Sequence, residues 1–516
     1  MLRTRTVLTP LTAAGILLSS GCGGDANAPA IAPMMTPQRG QLLTNPPMKV
    51  GSYSTTDLLT LLGMSALGKE LVSLAPTPSC SVDVYQLQYE TVGGKGESTS
   101  ASGALMVPTG TGSSCTGSRP IVEYAHGTSA DKTYNITQLT TNGEGLLLAA
   151  VFAASGYIVV APNYAGYDTS TLTYHPYLNG DQQSKDMIDA LTAARSALPV
   201  STATSVTDNH KLFITGYSQG GYVAMATHRA IQAANGTVTA SAPMSGPYSL
   251  SAFADAVFMG EVTDSAALNL VLLASSYQQS YGNVYSTPTD VFETQYATGI
   301  ETLLPSTTPL STLYSQGKLP QNAVFSSSPP APQYASITPA TVPAELAPIF
   351  ALGFGSGNLV TNAYRLAYLQ DAAAQPDGGF PSLTNNSPPA APVTGFRVDL
   401  KTNDLRNWSP TAPLLMCGGS SDPTVLFLDT QLMQSYWTTN VPTASVTVLD
   451  VDSAIGSNDP YATIKIAFTA AKAGVAASAV AGGATDGGTL AVLQAYHAGL
   501  VPPFCLSAVK SFFDAR

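Results

Sequence analysis

The segment 211-KLFITGYSQGGYVAMA-226 decides the fold of this chain. Its first five residues, 211–215, are mostly apolar and predict a strand, whereas residues 222–226 predict the first turns of a helix. Between them, GYSQG at 216–220 matches the pattern G-x-S-x-G. A tight turn from strand to helix crowds the backbone, so only glycine fits on either side of the serine, which stands clear of the sheet. Ser218 is therefore the candidate nucleophile.

Strands and helices alternate on both sides of this segment, with predicted helices at 181–198 and 221–234. Most of the predicted strands are continuous apolar runs, as expected for strands covered by helices on both faces. The pattern predicts an α/β fold with a mostly parallel, doubly wound sheet that starts with an antiparallel pair. The loops after the parallel strands share one edge, where active sites of such sheets lie. The predicted strands are 85–92, 101–107, 120–124, 157–162, 211–215, 238–242, 413–417 and 445–450.

One long interval, 249–408, interrupts this rhythm because it contains no clear strand. Its first half has helical character and its second half is rich in proline, so we interpret it as a large, mainly helical lid. It divides the core into a first part, 51–248, and a second part, 409–516. Residues 452–488 form a shorter insertion after the last strand. Its alanine-rich run contains lysines, so we predict a helix of the body there and not a membrane span.

A serine hydroxyl needs a general base, usually a histidine that a carboxylate orients. The chain has five histidines. In hydrolases with this kind of turn, the order along the chain is Ser, then Asp or Glu, then His. Only His497 follows the last predicted strand, and it is therefore the candidate base. The others precede Ser218 or lie in the helix after it: His126, His175, His210 and His228.

The acid is expected in a loop that follows a strand between these two residues. Strand 413–417 is followed by the loop GGSSDP at 418–423, so Asp422 is the candidate acid. Two alternatives follow the next strand: Asp450 and Asp452. Two further carboxylates are expected to be solvated: Asp404 and Asp429.

The transition state of acyl transfer also needs hydrogen-bond donors for the developing oxyanion. The strand at 120–124 runs into His126-Gly127-Thr128, a loop of the type that supplies one backbone N–H group. The other donor is the residue after the nucleophile, Gln219. The predicted oxyanion hole therefore consists of Gln219 and Thr128, with Gly127 next to it, and His126 shapes the loop.

The N-terminus resembles an export signal. Arg3 and Arg5 precede a short apolar run at 7–18, which is too short to span a bilayer. Ser19-Ser20-Gly21-Cys22 then resembles the lipobox of bacterial lipoproteins, in which the cysteine is acylated. We therefore predict a signal peptide with lipidated Cys22 at 1–22 and a flexible tether at 23–50. Cleavage without lipidation, and hence free secretion, is the alternative.

Five cysteines fit an exported protein, because four remain once Cys22 carries lipid. We predict the disulfides Cys80–Cys115, around the first two strands, and Cys417–Cys505, around the candidate acid and base. Four cysteines allow three pairings, so the other pairings stay open.

The charge balance excludes one class of partner. The net charge is −11 and Lys plus Arg total only 21, whereas a nucleic-acid surface needs a basic stripe. Charged residues make up only 10% of the chain, which suits an exported enzyme that meets neutral or apolar material.

Taken together, these motifs resemble the secretory-lipase and carboxylesterase branch of the α/β-hydrolase superfamily. The likeness rests on YAHGT at 124–128, APNYAG at 161–166, GYSQGG at 216–221 and DP at 422–423. It implies an α/β-hydrolase fold with a lid, and carboxylesterase or lipase activity on acyl esters, with no cofactor and no metal. A membrane is an expected partner only through the N-terminal lipid, and the protein is expected in the periplasm or at the cell surface, or secreted.

Two other functions remain open. A peptidase on the same fold would need a charged anchor for a peptide terminus, and Glu293, Glu301 and Arg365 are scattered along the lid sequence. A non-catalytic surface-binding lipoprotein would retain the fold alone, but such a protein commonly loses one of the three catalytic residues. Neither the acyl and alcohol specificity nor the oligomeric state follows from the sequence.

Overall fold

The computed structural model describes residues 38–65, 68–70, 72, 78–200 and 206–516, and nine strands from these residues form its sheet. The spatial order is β1-β2-β3-β5-β4-β6-β7-β8-β9. The strands are β1 (Met48–Tyr53), β2 (Ser81–Val92), β3 (Ser98–Thr109), β4 (Ser118–Ala125), β5 (Ile158–Pro162), β6 (Thr207–Tyr217), β7 (Ala240–Met244), β8 (Leu414–Gly418) and β9 (Val446–Asp450).

Pairing in this sheet is mostly parallel. β5, β4, β6, β7, β8 and β9 pair in parallel with their neighbours. β1 pairs antiparallel with β2, β2 with β3, and β3 with β5. This arrangement confirms the predicted α/β-hydrolase fold class, including the antiparallel pair at its start.

Alternate residues of each strand point to opposite sides of the sheet, so both faces carry side chains to be buried. Helices cover both faces. On β6, Leu212 and Ile214 share a hydrophobic cluster with the helix Gly180–Ala197, whereas Phe213 packs on the other face with the helices Gly143–Val151 and Val501–Asp514. The helices of the described residues are α1 (Thr55–Leu62), α2 (Gly143–Val151), α3 (Gly180–Ala197), α4 (Gln219–Ala233), α5 (Leu250–Phe258), α6 (Ala266–Tyr281), α7 (Thr294–Ala297), α8 (Leu310–Ser315), α9 (Ala347–Leu352), α10 (Asn362–Ala374), α11 (Gly395–Asn403), α12 (Leu428–Asn440), α13 (Ala462–Ala481), α14 (Thr489–Ala495) and α15 (Val501–Asp514).

Residues 249–408, all of them described, form a cap between β7 and β8 that contains α5 to α11 and no strand of the sheet. Hydrogen bonds fix both of its ends. Ser249 N donates to Asp429 Oδ1 (2.7 Å) and Ser251 N donates to Asp404 Oδ2 (3.1 Å). Leu405 N donates to the carbonyl of Tyr248 (3.0 Å), so the entry and exit of the cap are joined directly.

The expectation that Asp404 and Asp429 are solvated is wrong. Both are buried, at 0% and 1% exposure. Asp404 forms an ion pair with Arg406 (2.8 Å), which also pairs with Asp377 (2.6 Å). Burial raises the pKa of Asp429 well above its ordinary value. These carboxylates accept hydrogen bonds from the first residues of the cap, which is why they lie inside the protein.

The predicted flexible tether, 23–50, includes residues that the structure pairs with the sheet. Gly40 N donates to the carbonyl of Glu90 (2.8 Å) and Leu43 N to that of Gln88 (2.9 Å). β1 then pairs antiparallel with β2 from Met48 onward. These residues thus bind to the edge of β2, although their composition alone predicted a flexible segment. The described chain begins at Gln38, so the predicted signal peptide and Cys22 lie outside the described residues.

The structure contains both predicted disulfides, Cys80–Cys115 and Cys417–Cys505. It also contains the predicted helix in the second insertion, α13, which is long and apolar enough to cross a membrane by length and composition. Phe468 of this helix nevertheless packs on two aromatic rings of the body. Its ring centroid lies 5.6 Å from that of Tyr496 and 5.3 Å from that of Phe504.

Candidate active site

Ser218 occupies the turn between β6 and α4 with backbone angles φ 59° and ψ −123°. A positive φ is unfavourable for a residue with a β-carbon and persists only where the surroundings impose it. Here Ser218 N donates to the carbonyl of Met244 on β7 (3.0 Å), which holds the turn against the sheet. The side chain therefore stands at the carboxyl edge of β6, as the sequence predicted.

Three glycines make this turn possible. A β-carbon on Gly216 would lie 2.3 Å from the carbonyl oxygen of Gly220, and one on Gly220 would lie 1.9 Å from that of Ala125. A β-carbon on Gly221 would lie 2.3 Å from the carbonyl oxygen of Met244. All three contacts are with backbone atoms, which cannot move aside as a flexible side chain would. The glycines of the motif are thus a steric requirement.

The structure brings Ser218, His497 and Asp422 into one chain of hydrogen bonds. Ser218 Oγ lies 2.8 Å from His497 Nε2, and His497 Nδ1 lies 2.7 Å from Asp422 Oδ2. The contact with Asp422 places the imidazole proton on Nδ1, so Nε2 is free to accept the proton of the serine. Asp422 Oδ1 accepts hydrogen bonds from the backbone of Thr424 (2.9 Å) and Val425 (3.1 Å), which fix the carboxylate.

The alternatives for the acid do not reach the histidine. Asp450 accepts hydrogen bonds from the backbone of Ser420 (3.0 Å) and Asp452 (2.9 Å). Asp452 accepts one from Tyr496 Oη (2.7 Å) and pairs with Lys472. These carboxylates brace the loops around the site without contacting the imidazole.

His497 lies in a π-helical turn, Tyr496–Leu500, between α14 and α15. Such turns are rare and occur often at functional sites. Tyr217 Oη donates to the carbonyl of His497 (2.5 Å), which ties the residue before the nucleophile to the base. Sequence reasoning missed Tyr217 and Tyr496, although each directly precedes one of the predicted residues.

The other four histidines, all described, have partners elsewhere. His210 is exposed, and His228 Nδ1 lies 2.7 Å from Ser241 Oγ. Burial lowers the pKa of His228 to about 4 and that of His175 to about 3, so both are neutral. His126 is stacked between Tyr134 and Tyr164, with ring centroids 4.1 and 4.2 Å away.

The loop at 126–128 lies beside the turn of Ser218. Gly127 N donates to Glu144 Oε1 (3.1 Å) and is therefore occupied. Among the described residues, no hydrogen-bond partner is found for Thr128 N, and its hydroxyl lies 2.9 Å from Tyr177 Oη. Gln219 begins α4, so its N–H group has no partner inside the helix, and its side chain contacts His175 (2.7 Å). Thr128 and Gln219 thus carry backbone N–H groups without a partner among the described residues, whereas the N–H group of Gly127 is bound to Glu144.

Two cavities bounded by described residues meet at Ser218. The first, the cap arm, has a volume of about 70 Å³ and runs under the cap. The second, the helix arm, has a volume of about 420 Å³ and runs between α2, the π-helical turn and α15. The apolar walls of the cap arm include Leu250, Phe253, Val257, Leu270, Leu273 and Leu400. The helix arm is lined by His497, Thr128, Glu144, Leu147, Leu148 and Leu506, among others.

No cluster of three or more His, Cys, Asp or Glu side chains that could hold a metal ion occurs in the described part of the chain.

Comparisons with known proteins agree with this fold. A profile of the Prolyl oligopeptidase family matches residues 147–269, which include the turn of Ser218 and the start of the cap. No curated protein matches the sequence. The structure resembles the rice cell wall degrading esterase LipA from Xanthomonas oryzae, with a TM-score of 0.66 and 24% identity over 93% of this chain and 100% of that one. A protein from Legionella pneumophila, solved as a candidate hydrolase, gives 0.61 and 19% over 91% and 96%.

These results confirm the resemblance to the α/β-hydrolase superfamily at the level of the fold. The structural neighbours include an esterase, whereas the matching sequence family is one of peptidases. The fold is that of the α/β-hydrolases, and the structural neighbours and the family profile differ in the substrates that their names state.

Proposed function

We propose that this protein is a serine hydrolase that cleaves carboxylic esters through an acyl-enzyme intermediate. Ser218 is the nucleophile, His497 the general base and Asp422 the residue that orients the base. The observation that carries the proposal is the unbroken chain of hydrogen bonds from Ser218 Oγ through both ring nitrogens of His497 to Asp422. A fold kept only for binding would not require this geometry, which argues against the non-catalytic alternative.

The proposed reaction starts when Ser218 Oγ attacks the ester carbonyl carbon and its proton passes to His497 Nε2. The negative charge that develops on the carbonyl oxygen accepts hydrogen bonds from the N–H groups of Thr128 and Gln219. One such donor contributes about 10²- to 10³-fold in rate. His497 then gives the proton to the leaving alcohol oxygen, and the acyl group remains on Ser218. Water, deprotonated by His497, releases the acid by the same steps.

The cavities favour an ester over a peptide. The cap arm is lined mainly by aliphatic and aromatic side chains, with a few uncharged polar ones, and no Lys, Arg, Asp or Glu borders it in the described chain. Among the described residues, Glu144 is the only one of these four types on the helix arm, and Gly127, Tyr124 and Tyr134 already donate to its carboxylate. A charged peptide terminus would therefore find no unoccupied anchor. The match to a peptidase family is the observation that keeps a peptidase as the second candidate.

The direct test is hydrolysis of 4-nitrophenyl esters from acetate to palmitate by the wild type and by Ser218→Ala. We expect activity in the wild type and a loss of up to about 10⁶-fold in the variant. Ser327→Ala, at an exposed serine of the cap, is the matched control and should retain full activity. Equal rates for the wild type and Ser218→Ala would refute the nucleophile. Hydrolysis of aminoacyl anilides without hydrolysis of esters would establish the peptidase.

We also propose that the protein is exported and held to a membrane by lipid on Cys22. Two disulfides support export, since such bonds persist in oxidising compartments. In cells fed radiolabelled palmitate, the wild type should carry label and Cys22→Ser should not. An unlabelled wild type recovered from the medium would indicate cleavage and free secretion instead.

A further inference from the structure

Two consecutive prolines, Pro502 and Pro503, follow the π-helical turn that carries His497. In such a turn, each N–H group binds the carbonyl group five residues before it, and Val501 N donates to the carbonyl of Tyr496 in this way. The next N–H group in the same register would belong to residue 502 and would bind the carbonyl of His497. A proline has no N–H group. The carbonyl of the candidate base therefore lacks the backbone donor that the turn would otherwise supply.

The hydroxyl of Tyr217 takes the place of this donor. His497 is buried, at 8% exposure, and a buried carbonyl group without a partner is unfavourable. Tyr217 Oη donates to this carbonyl oxygen at 2.5 Å. Burial raises the pKa of Tyr217 well above its ordinary value, so the hydroxyl keeps the proton that the bond needs. The backbone of the candidate base is thus held by a side chain from another element.

Tyr217 is itself fixed by the sheet. It is the last residue of β6 and pairs with Met244 of β7. The next residue, Ser218, donates its N–H group to the carbonyl of Met244 (3.0 Å). The ring of Tyr217 also packs beside the imidazole of His497, with ring centroids 5.1 Å apart. The candidate nucleophile and the hydroxyl that holds the candidate base therefore come from neighbouring residues at the end of one strand.

We propose that Tyr217 is a positioning residue, whose hydroxyl replaces the N–H group that Pro502 lacks and so sets the distance between the imidazole of His497 and Ser218 Oγ. The inference rests on the proposed function and adds a residue to its machinery. Tyr217 acts through the backbone of the base and takes no part in proton transfer. Because a misplacement of about 1 Å can cost about 10²-fold in rate, loss of this one bond should slow the steps that need His497.

The test removes this hydroxyl and, as a matched control, another buried one. In Tyr217→Phe, kcat for the 4-nitrophenyl ester that the wild type hydrolyses fastest should fall about tenfold or more. KM should stay within about twofold of the wild type, since the lost bond does not bind substrate. Tyr222→Phe removes a buried hydroxyl that donates to the carbonyl of Asn403 (2.8 Å), and it should retain full kcat. Equal losses of kcat in the two variants, or no loss in Tyr217→Phe, would overturn the inference.

Pro502→Ala gives a second test because it restores an N–H group in the register of the His497 carbonyl. In this background, Tyr217→Phe should lower kcat by about threefold or less, since the backbone again supplies a donor. The comparison is made within the Pro502→Ala background, so any effect of Pro502→Ala alone cancels. A loss of kcat as large as in the wild-type background would show that Tyr217 does not replace this N–H group.

Hydrogen–deuterium exchange separates the inference from the proposed function, because it needs no substrate. The amide groups at 496–501 should exchange about twofold to tenfold faster in Tyr217→Phe than in the wild type, the effect of one lost hydrogen bond. They should exchange at the wild-type rate in Tyr222→Phe. If exchange rises in this way while no ester is hydrolysed, Tyr217 holds the turn and the proposed substrate class is wrong. Unchanged exchange at 496–501 in Tyr217→Phe would overturn the inference even in a protein that hydrolyses esters.

Discussion

The sheet core and the cap are stabilised in different ways. Strands such as β5 and β8 are buried along their whole length and consist mainly of apolar residues. The cap instead buries charged residues in pairs, with Arg397 between Asp255 and Asp371 and Arg406 between Asp377 and Asp404. The core thus depends on apolar contacts and close backbone packing. The cap is packed by apolar side chains as well, such as Phe258, Tyr277 and Phe396, and it adds ionic contacts between distant residues.

The two regions contribute different parts of the candidate site. The three candidate catalytic residues follow strands or lie on helices of the core, where backbone hydrogen bonds fix their positions. Side chains of the cap helices line the cap arm, among them Leu250, Phe253 and Leu400. We therefore expect substitutions in the cap to alter the substrate range while the candidate catalytic residues stay in place.

If ion pairs hold the cap, breaking one should have the largest effect on stability. Arg406→Met leaves Asp377 and Asp404 unpaired, and both carboxylates are fully buried. We expect the free energy of unfolding to fall by about 3–5 kcal/mol, as measured by urea denaturation at pH 7. Lys185→Met, which removes an exposed pair with Asp181, should change it by no more than about 1 kcal/mol. Similar changes in the two variants would contradict this account of the cap.

If close backbone packing holds the core, a single methyl group at the turn of Ser218 should be nearly as harmful. In Gly220→Ala the new carbon would lie 1.9 Å from the carbonyl oxygen of Ala125. We expect a loss of about 3 kcal/mol in the free energy of unfolding and a large loss of esterase activity. Gly355→Ala in the cap is the matched control, because the nearest atom to its new carbon is 3.6 Å away. A fully active Gly220→Ala would show that the turn is looser than the structure indicates.

The difference between the core and the cap also shows how much of the fold could be predicted from the sequence. The eight predicted strands of the core are present because apolar runs and their spacing are local signals. β1 was missed since it is a short, mostly exposed edge strand whose partner is distant in sequence. Asp255 and Arg397 are 142 positions apart, and no local sequence pattern predicts that they pair.

The residues of the candidate site also divide into those that sequence signals predict and those that only tertiary packing brings in. Ser218, Asp422 and His497 were predicted because each follows from a motif or from the order of residues along the chain. Glu144, which accepts the hydrogen bond of Gly127, comes from a helix that the sequence does not mark as part of the site. Tyr177, beside the hydroxyl of Thr128, is likewise brought in by tertiary packing.

Glu123 is the exception in the core, since it is a buried carboxylate without a partner. It lies on β4 at 0% exposure, and neither carboxylate oxygen accepts a hydrogen bond from the described residues. Burial raises its pKa from 4.5 to about 8, although Arg195 acts in the opposite direction. Between these values the folded protein keeps a proton that the unfolded chain has lost. Stability therefore falls as the pH rises through this window, by about 1.4 kcal/mol per pH unit from this residue.

Glu123→Gln removes the titrating group and should abolish this contribution. Urea denaturation at pH 5, 6, 7 and 8 should show the variant gaining stability over the wild type with each step of pH. Other buried acids, such as Asp399, titrate in both proteins and cancel in the difference. Glu345→Gln, at an exposed position of the cap, should leave the pH dependence unchanged. Parallel curves for the wild type and Glu123→Gln would mean that Glu123 has a partner after all, and that the core, like the cap, pairs the charges it buries.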